Sequence, residues 1–265
     1  AVPEGTLVPL RVPVMTLRNT KPEFYWLTNM LETLLSNVLW QASTSATTAF
    51  MYRKAFEKYA EETGADKSFV KWQGHDFSFR GMSGVEAAIL SGAGHLLSFT
   101  GTDTIPAIDF FEEYYGADCE KELIGGSVPA TEHSVMSMGM QGGELETIKR
   151  LITEVYPSGI VSIVSDTWDL WRVICEYLPA LREIILTRDG KVVVRPDSGD
   201  PVKILCGDPE SDRECVRKGV VECLWDLFGG RINDKGFKEL DPHIGDIYGD
   251  SITLERQEQI LSKLA

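Results

Sequence analysis

An α/β fold is predicted for this chain by a phrase that recurs four times along it: a short apolar, β-rich run, a polar loop, then a helix. Two further observations agree. Apolar residues recur at helical spacing in the segments 24–38 and 170–178, and 265 residues suffice for one large domain or a main domain with a smaller appendage. Repeated strand–loop–helix units of this kind predict a parallel sheet or barrel with helices outside.

In chain order, Thr20, Pro22 and Glu23 read as a capping-box start, after which Phe24, Leu27, Leu31, Leu34, Leu35 and Val38 recur at helical spacing. A second helix is expected from about Thr47 to Thr63, stopping at Gly64. Residues 1–64 thus read as an accessory helical segment, and 65–265 as the α/β body. In that body Leu96–Phe99 lead into Gly101-Thr102-Asp103-Thr104, and a helix closes at Gly116. Ile160–Val164 lead into Ser165-Asp166, and Leu170, Trp171, Ile174, Tyr177 and Leu178 then share a helical face. Val192–Val194 lead into Arg195-Pro196-Asp197-Ser198-Gly199-Asp200, with a helix expected from about Asp212 to Phe228. Ile244 and Ile247 flank a short strand before Gly249-Asp250-Ser251 and a last helix.

Composition narrows the function classes. A net charge of -14 disfavours nucleic-acid or anionic-membrane partners, whose phosphates attract Lys and Arg. No apolar run reaches the roughly 18 residues a bilayer requires, and no signal-peptide pattern opens the chain. Five cysteines without CxxC spacing argue against a disulfide framework or structural zinc, and for a reducing cytoplasm. HExxH and GxxxxGK[ST] patterns are absent.

Candidate chemistry gathers at the predicted strand ends, where ligand sites of parallel α/β folds form. Asp103, Ser165, Asp166, Arg195, Asp197 and Asp250 all fall there, although such residues also serve as caps and turns. Arg195 is suited to hold a phosphate bidentately, and Asp197 a ribose hydroxyl or magnesium; a surface ion pair is the plain alternative. Phe77 and Phe79, if in a strand, share a face and read as core, beside Arg80. His133 next to Glu132 is suited to pair with phosphate, to transfer a proton or to become transiently phosphorylated, whereas His95 and His243 read as structural.

Taken together and in order, HDFSFRG, FTGTDT, SVPATEHS, VSDTWD, VRPDSGDP and YGDSITLE closely resemble the nicotinamide phosphoribosyltransferase family, as do the opening AVPEG and PEFYWLTNMLETLL. The resemblance covers essentially the whole chain. It implies an irregular, TIM-barrel-like type II phosphoribosyltransferase barrel with a smaller domain, and homodimers with shared active sites. It implies transfer of phosphoribose from phosphoribosyl pyrophosphate to nicotinamide, giving nicotinamide mononucleotide and pyrophosphate in NAD salvage. Phe77 would stack on the pyridine, Arg80 would contact the phosphoribosyl group, and Asp103 would accept from the carboxamide. His133 would lie by the pyrophosphate as the candidate for ATP-coupled autophosphorylation. Ser127 and Ser165 would line the pocket; Arg195 would face the nicotinamide and ribose; Asp197, Gly249 and Asp250 would hold ribose hydroxyls. Asp169 and Asp197 would stand nearest a Mg2+-bound pyrophosphate.

The family's N-terminal aromatic and C-terminal glycine-rich phosphate loop have no counterpart here, which predicts weak turnover by this polypeptide alone. Two alternatives remain at this stage: a nicotinate phosphoribosyltransferase, against which Asp103 argues by repelling the substrate carboxylate, and a catalytically incompetent fragment acting through association.

Overall fold

The computed structural model describes all 265 residues. After a single 3-10 turn at Pro22–Phe24, one helix, α1, runs from Leu27 to Thr63. Thr20 makes no cap; the residue before the turn is Lys21, without a side-chain cap bond. The two helices expected in this region are therefore one. The stretch 39–47 holds no Gly or Pro to break it, and the Thr47 hydroxyl donates back to the Ser43 carbonyl at 2.7 Å, within the helix. Gly64 ends it as expected, at φ 79° with its N–H on the Ala60 carbonyl at 2.9 Å.

The body alternates strand and helix. In order come β1 (His75–Asp76), α2 (Val85–Leu96), β2 (Gly101–Thr102), α3 (Pro106–Tyr115), α4 (His133–Met138) and α5 (Glu144–Arg150). They are followed by β3 (Ser158–Val164), α6 (Leu170–Arg172), α7 (Leu178–Leu186), β4 (Asp189–Arg195), α8 (Pro201–Cys206) and α9 (Glu214–Phe228). The chain closes with β5 (Gly230–Ile232), β6 (Lys238–Leu240), β7 (Ile244–Asp246) and α10 (Leu254–Leu264). A π turn at Val173–Tyr177 joins α6 to α7, so the predicted 170–178 face lies on one helical run. Leu96–Phe99 form no strand, because α2 holds Leu96 and the Phe99 N–H bonds back to the His95 carbonyl at 3.1 Å.

β3, β4 and β7 form a parallel sheet in the order β3-β4-β7, β1 pairs in parallel with β2, and β5 pairs antiparallel with β6. Single parallel bridges, Gly101 to Gly126 and Ala130 to Ser162, link the segment 126–130 to β2 on one side and to β3 on the other. The parallel strands therefore follow one another in an arc, but no closed barrel results: β1 and β7 do not pair. The architecture is mixed α/β with parallel sheets.

Burial follows the sheet. Val161, Val192, Val194 and Ile244 are at most 2 % exposed and anchor a cluster of 23 buried apolar residues that includes Leu178, Ile185 and Leu224 from the covering helices. Helix α1 packs on α2, where Gln41 donates to the Ala87 carbonyl at 2.9 Å, and on α10, where Gln257 donates to the Tyr52 carbonyl at 3.0 Å; the Tyr52 hydroxyl donates to the Ile252 carbonyl, just before α10, at 2.6 Å. The 24–40 face of this segment, with Phe24, Trp26, Met30, Leu34, Val38 and Trp40, is exposed.

Candidate active site

The site grows from the carboxyl ends of the parallel strands. At β1 and β2, buried Asp76 ties two loops together: one oxygen accepts the Ser78 N–H and the other the Thr104 hydroxyl, both at 2.8 Å. This fixes Phe77 on one loop and Asp103 on the other. Phe77 and Phe79 do not share a strand face; Phe79 lies in a 3-10 turn and Phe77 is half-buried against polar partners rather than core. His75 Nε2 stands 2.9 Å from Asp103 Oδ1, and the Ser127 hydroxyl donates to the same oxygen at 2.6 Å. The hydrogen bond from His75, then that from Ser127 and the nearby Arg195 charge, hold the Asp103 carboxyl below its ordinary range despite partial burial. Asp103 is thus an ionised acceptor with a lone-pair set still open to solvent.

At the end of β4, Arg195 lays its guanidinium over the Phe77 ring, 4.9 Å from the centroid, while His75 packs against the same ring at 4.4 Å. Arg195 Nη2 lies 3.5 Å from Asp197 Oδ2, with side chains only 14 % and 21 % exposed. Arg195 Nε and Asp197 Oδ1 are buried without a hydrogen-bond partner, so this pair retains unused donor and acceptor capacity. After β7, Gly249 passes so close that a Cβ there would lie 1.9 Å from Asp197 Oδ1 and 3.0 Å from Arg195 Nε, so any side chain would force the Asp197 carboxylate or the backbone aside.

Between these two centres lies Asp166, just beyond β3. Its Oδ2 accepts the Asp197 N–H at 2.8 Å and the Ser198 hydroxyl, and its Oδ1 faces His133 Nε2 at 3.4 Å. Arg80 reaches Glu132, the neighbour of His133, at 3.3 Å. Tyr248 donates to the Gly199 carbonyl at 3.1 Å, and burial together with the carboxylates of Asp166, Asp250, Asp197 and Asp200 pushes its hydroxyl up to about 12. Phe77, Asp103, Ser127, His133, Arg195, Asp197 and Gly249 are therefore one connected network.

Other candidates stand differently. Ser165 is buried, its hydroxyl committed to the Ile163 carbonyl at 2.7 Å and its N–H to the Arg195 carbonyl at 3.0 Å, so it supports the site from behind. Asp169 caps α6 through the Trp171 N–H at 3.0 Å and lies 4.0 Å from Arg213. Asp250 is exposed and joins the network only through its charge near Tyr248. His95 and His243 are structural, bonded to the Gly101 carbonyl and to Asp241 at 2.9 and 2.7 Å. Sequence reasoning gave no role to His75, Asp76 or Tyr248, and saw Asp166 only as a strand-end residue; none carries a local signal beyond its place beside a strand. No three His, Cys, Asp or Glu side chains converge on a metal-sized position. Cavities of about 440 Å³ along α1, lined wholly by charged side chains, and about 600 Å³ beside Cys175, Cys215 and Cys223 lie away from this network.

A profile of the nicotinate phosphoribosyltransferase (NAPRTase) family matches residues 72–265, the stretch that carries every residue of the network. The chain belongs to that family. Curated relatives named nicotinamide phosphoribosyltransferase include a protein of Acinetobacter baylyi, 56 % identical over 271 residues and aligned with 100 % of this chain. Others come from Mycoplasma pneumoniae, 38 % identical across 96 % of the chain, and Xanthomonas campestris, 34 % identical across 100 %. The chain spans about half the length of these relatives, 53 %, 54 % and 53 % respectively. The family resemblance carried by the motifs is thus shared with proteins bearing the nicotinamide-specific name.

Proposed function

We propose that this family member carries a phosphoribosyl-transfer site that joins nicotinamide to phosphoribosyl pyrophosphate, releasing nicotinamide mononucleotide and pyrophosphate in NAD salvage. The observation that carries the reading is Asp103, kept ionised by His75 and Ser127 within one network with Phe77 and Arg195. A carboxylate accepts from a carboxamide NH2 and repels the carboxylate of nicotinate, which selects the amide between the two pyridines. The pyridine would take the place of the Arg195 guanidinium on the Phe77 ring, freeing Arg195 for ribose or phosphate. Gly249 and Asp250 would receive ribose hydroxyls beside Asp197, and Arg80 with His133 would meet the pyrophosphate.

Such a transfer breaks the anomeric C–O bond before the new C–N bond is well formed, so the sugar develops positive charge that Asp197 and its neighbours stabilise from fixed positions. Mg2+ would neutralise the leaving pyrophosphate. The residues fit it in part: Asp197 Oδ1 is an unused buried acceptor, and Mg2+ commonly takes one or two carboxylates with the remaining ligands from phosphate and water. Asp169, engaged as a helix cap, would reach it only through such phosphate or water. ATP would act through His133 as an activating co-substrate. The exposed apolar 24–40 face supports association into a homodimer that completes the site, and the arc of parallel strands supports a barrel closed by further chain.

The test is product formation from nicotinamide and phosphoribosyl pyrophosphate, with and without ATP and Mg2+, and with nicotinate as competitor. Turnover of nicotinamide, weak for this polypeptide alone, with little inhibition by nicotinate is expected. Preference for nicotinate would overturn the reading.

A further inference from the structure

We infer that Asp166 is a positioning residue: it holds His133 in the Nε2–H tautomer and ties that ring to the Arg195–Ser198 turn. The inference rests on the proposed site but concerns only this chain's own residues. The Asp166 side chain is 7 % exposed, and its two oxygens have different duties. Oδ2 is saturated by the Asp197 N–H at 2.8 Å and the Ser198 hydroxyl. Oδ1 is sealed from solvent, has no hydrogen bond, and lies 3.4 Å from His133 Nε2. A buried carboxylate oxygen without a donor is costly, and a slight approach of the half-exposed imidazole satisfies it. The bond requires the proton on Nε2. Nδ1 then carries the ring's free lone pair and is the nitrogen able to accept from substrate. Because the same carboxylate grips Asp197 and Ser198, movement of the turn that bears Arg195 and Asp197 moves the acceptor that orients His133.

The substitution Asp166→Asn gives a sharp test. Its single carbonyl oxygen would stay with the two donors from Asp197 and Ser198, turning the NH2 toward His133, and Nε2 would then have to accept. The whole chain, labelled with 15N-histidine, has only four imidazoles to assign. Long-range 1H–15N correlation spectra at mildly alkaline pH read their tautomers without substrate. The expected result is a His133 Nε2–H population above that of the same chain in urea. In D166N the tautomer ratio should move by about tenfold or more toward Nδ1–H, the order of one hydrogen bond. His95 and His243, bonded elsewhere, should stay unchanged and report that the variant is folded. Retention of Nε2–H in folded D166N overturns the assignment. So does a folded wild-type ratio equal to that in urea, a measurement that needs no variant. Absence of phosphoribosyl transfer alongside the tautomer switch would count against the proposed function only.

Discussion

Asp103 concentrates the chemistry that separates an amide from an acid. Replacing it with alanine removes one charged acceptor, worth about 1.5–3 kcal/mol, so D103A should lower kcat/KM for nicotinamide by roughly 10- to 100-fold. The effect on nicotinate should be smaller or opposite in sign, and parallel assays with the two pyridines check it. Gly249 makes a different demand, one of space. A methyl group at 1.9 Å from Asp197 Oδ1 must displace that carboxylate or the 249–251 backbone. G249A should cost about 1–3 kcal/mol of stability and weaken phosphoribosyl pyrophosphate binding more than nicotinamide binding, measurable by calorimetry and thermal unfolding. Asp166 was legible only as a strand-end residue and His75 not at all, and neither pairing could be read from the sequence, for a physical reason. Their partners lie 28 and 31 residues away, and the pairings exist only because parallel strands bring their carboxyl ends side by side.

Elements were legible where the local code was strong. β3 and β4 carry short β-branched apolar runs, Ile160-Val161 and Ile163-Val164 in one and Val192–Val194 in the other, and the helices ending at Gly64 and Gly116 stop where glycine takes a left-handed conformation, φ 79° and 67°. G64A should therefore destabilise the chain by about 1 kcal/mol, the usual penalty for a side chain at positive φ, visible as a lower urea midpoint with unchanged slope. The code failed where tertiary structure decides. The stretch between Val38 and Thr47, left between two expected helices, is part of α1, which packs on α2 and α10. β1 and β2 are two residues each, too short for any periodicity to show. Closure of a barrel cannot be read from strand count alone, since it depends on pairing between the first and last strands.

For the molecule as a whole, two carboxyls give stability an unusual pH dependence. Burial pushes Glu144 up from 4.5 to about 7 and Asp246 from 3.8 to about 8; neither Glu144 oxygen, nor Asp246 Oδ1, has a partner. Both folded values lie above the unfolded ones, so the native state binds these protons more tightly. Their contribution is fully present in acid and is lost as pH rises through about 7 and about 8. E144Q, neutral throughout, should remove the Glu144 share. The difference in unfolding free energy between variant and wild type should grow between pH 4.5 and about 7, on the order of 1–2 kcal/mol after relaxation and screening. Urea titrations at several pH values test it, and a flat difference would refute it.

The clasp between α1 and α10 also has a timetable. Tyr52 and Ile252 are 200 positions apart, and Gln257 returns to the Tyr52 carbonyl at 3.0 Å across 205. On a ribosome adding roughly 5–20 residues each second, α1 emerges about 10–40 s before its partner exists. Throughout that interval the nascent chain displays the side of α1 that α10 will cover together with Phe24, Trp26 and Trp40. The α1–α10 contact can therefore form only after residues 254–264 have been made, late in synthesis.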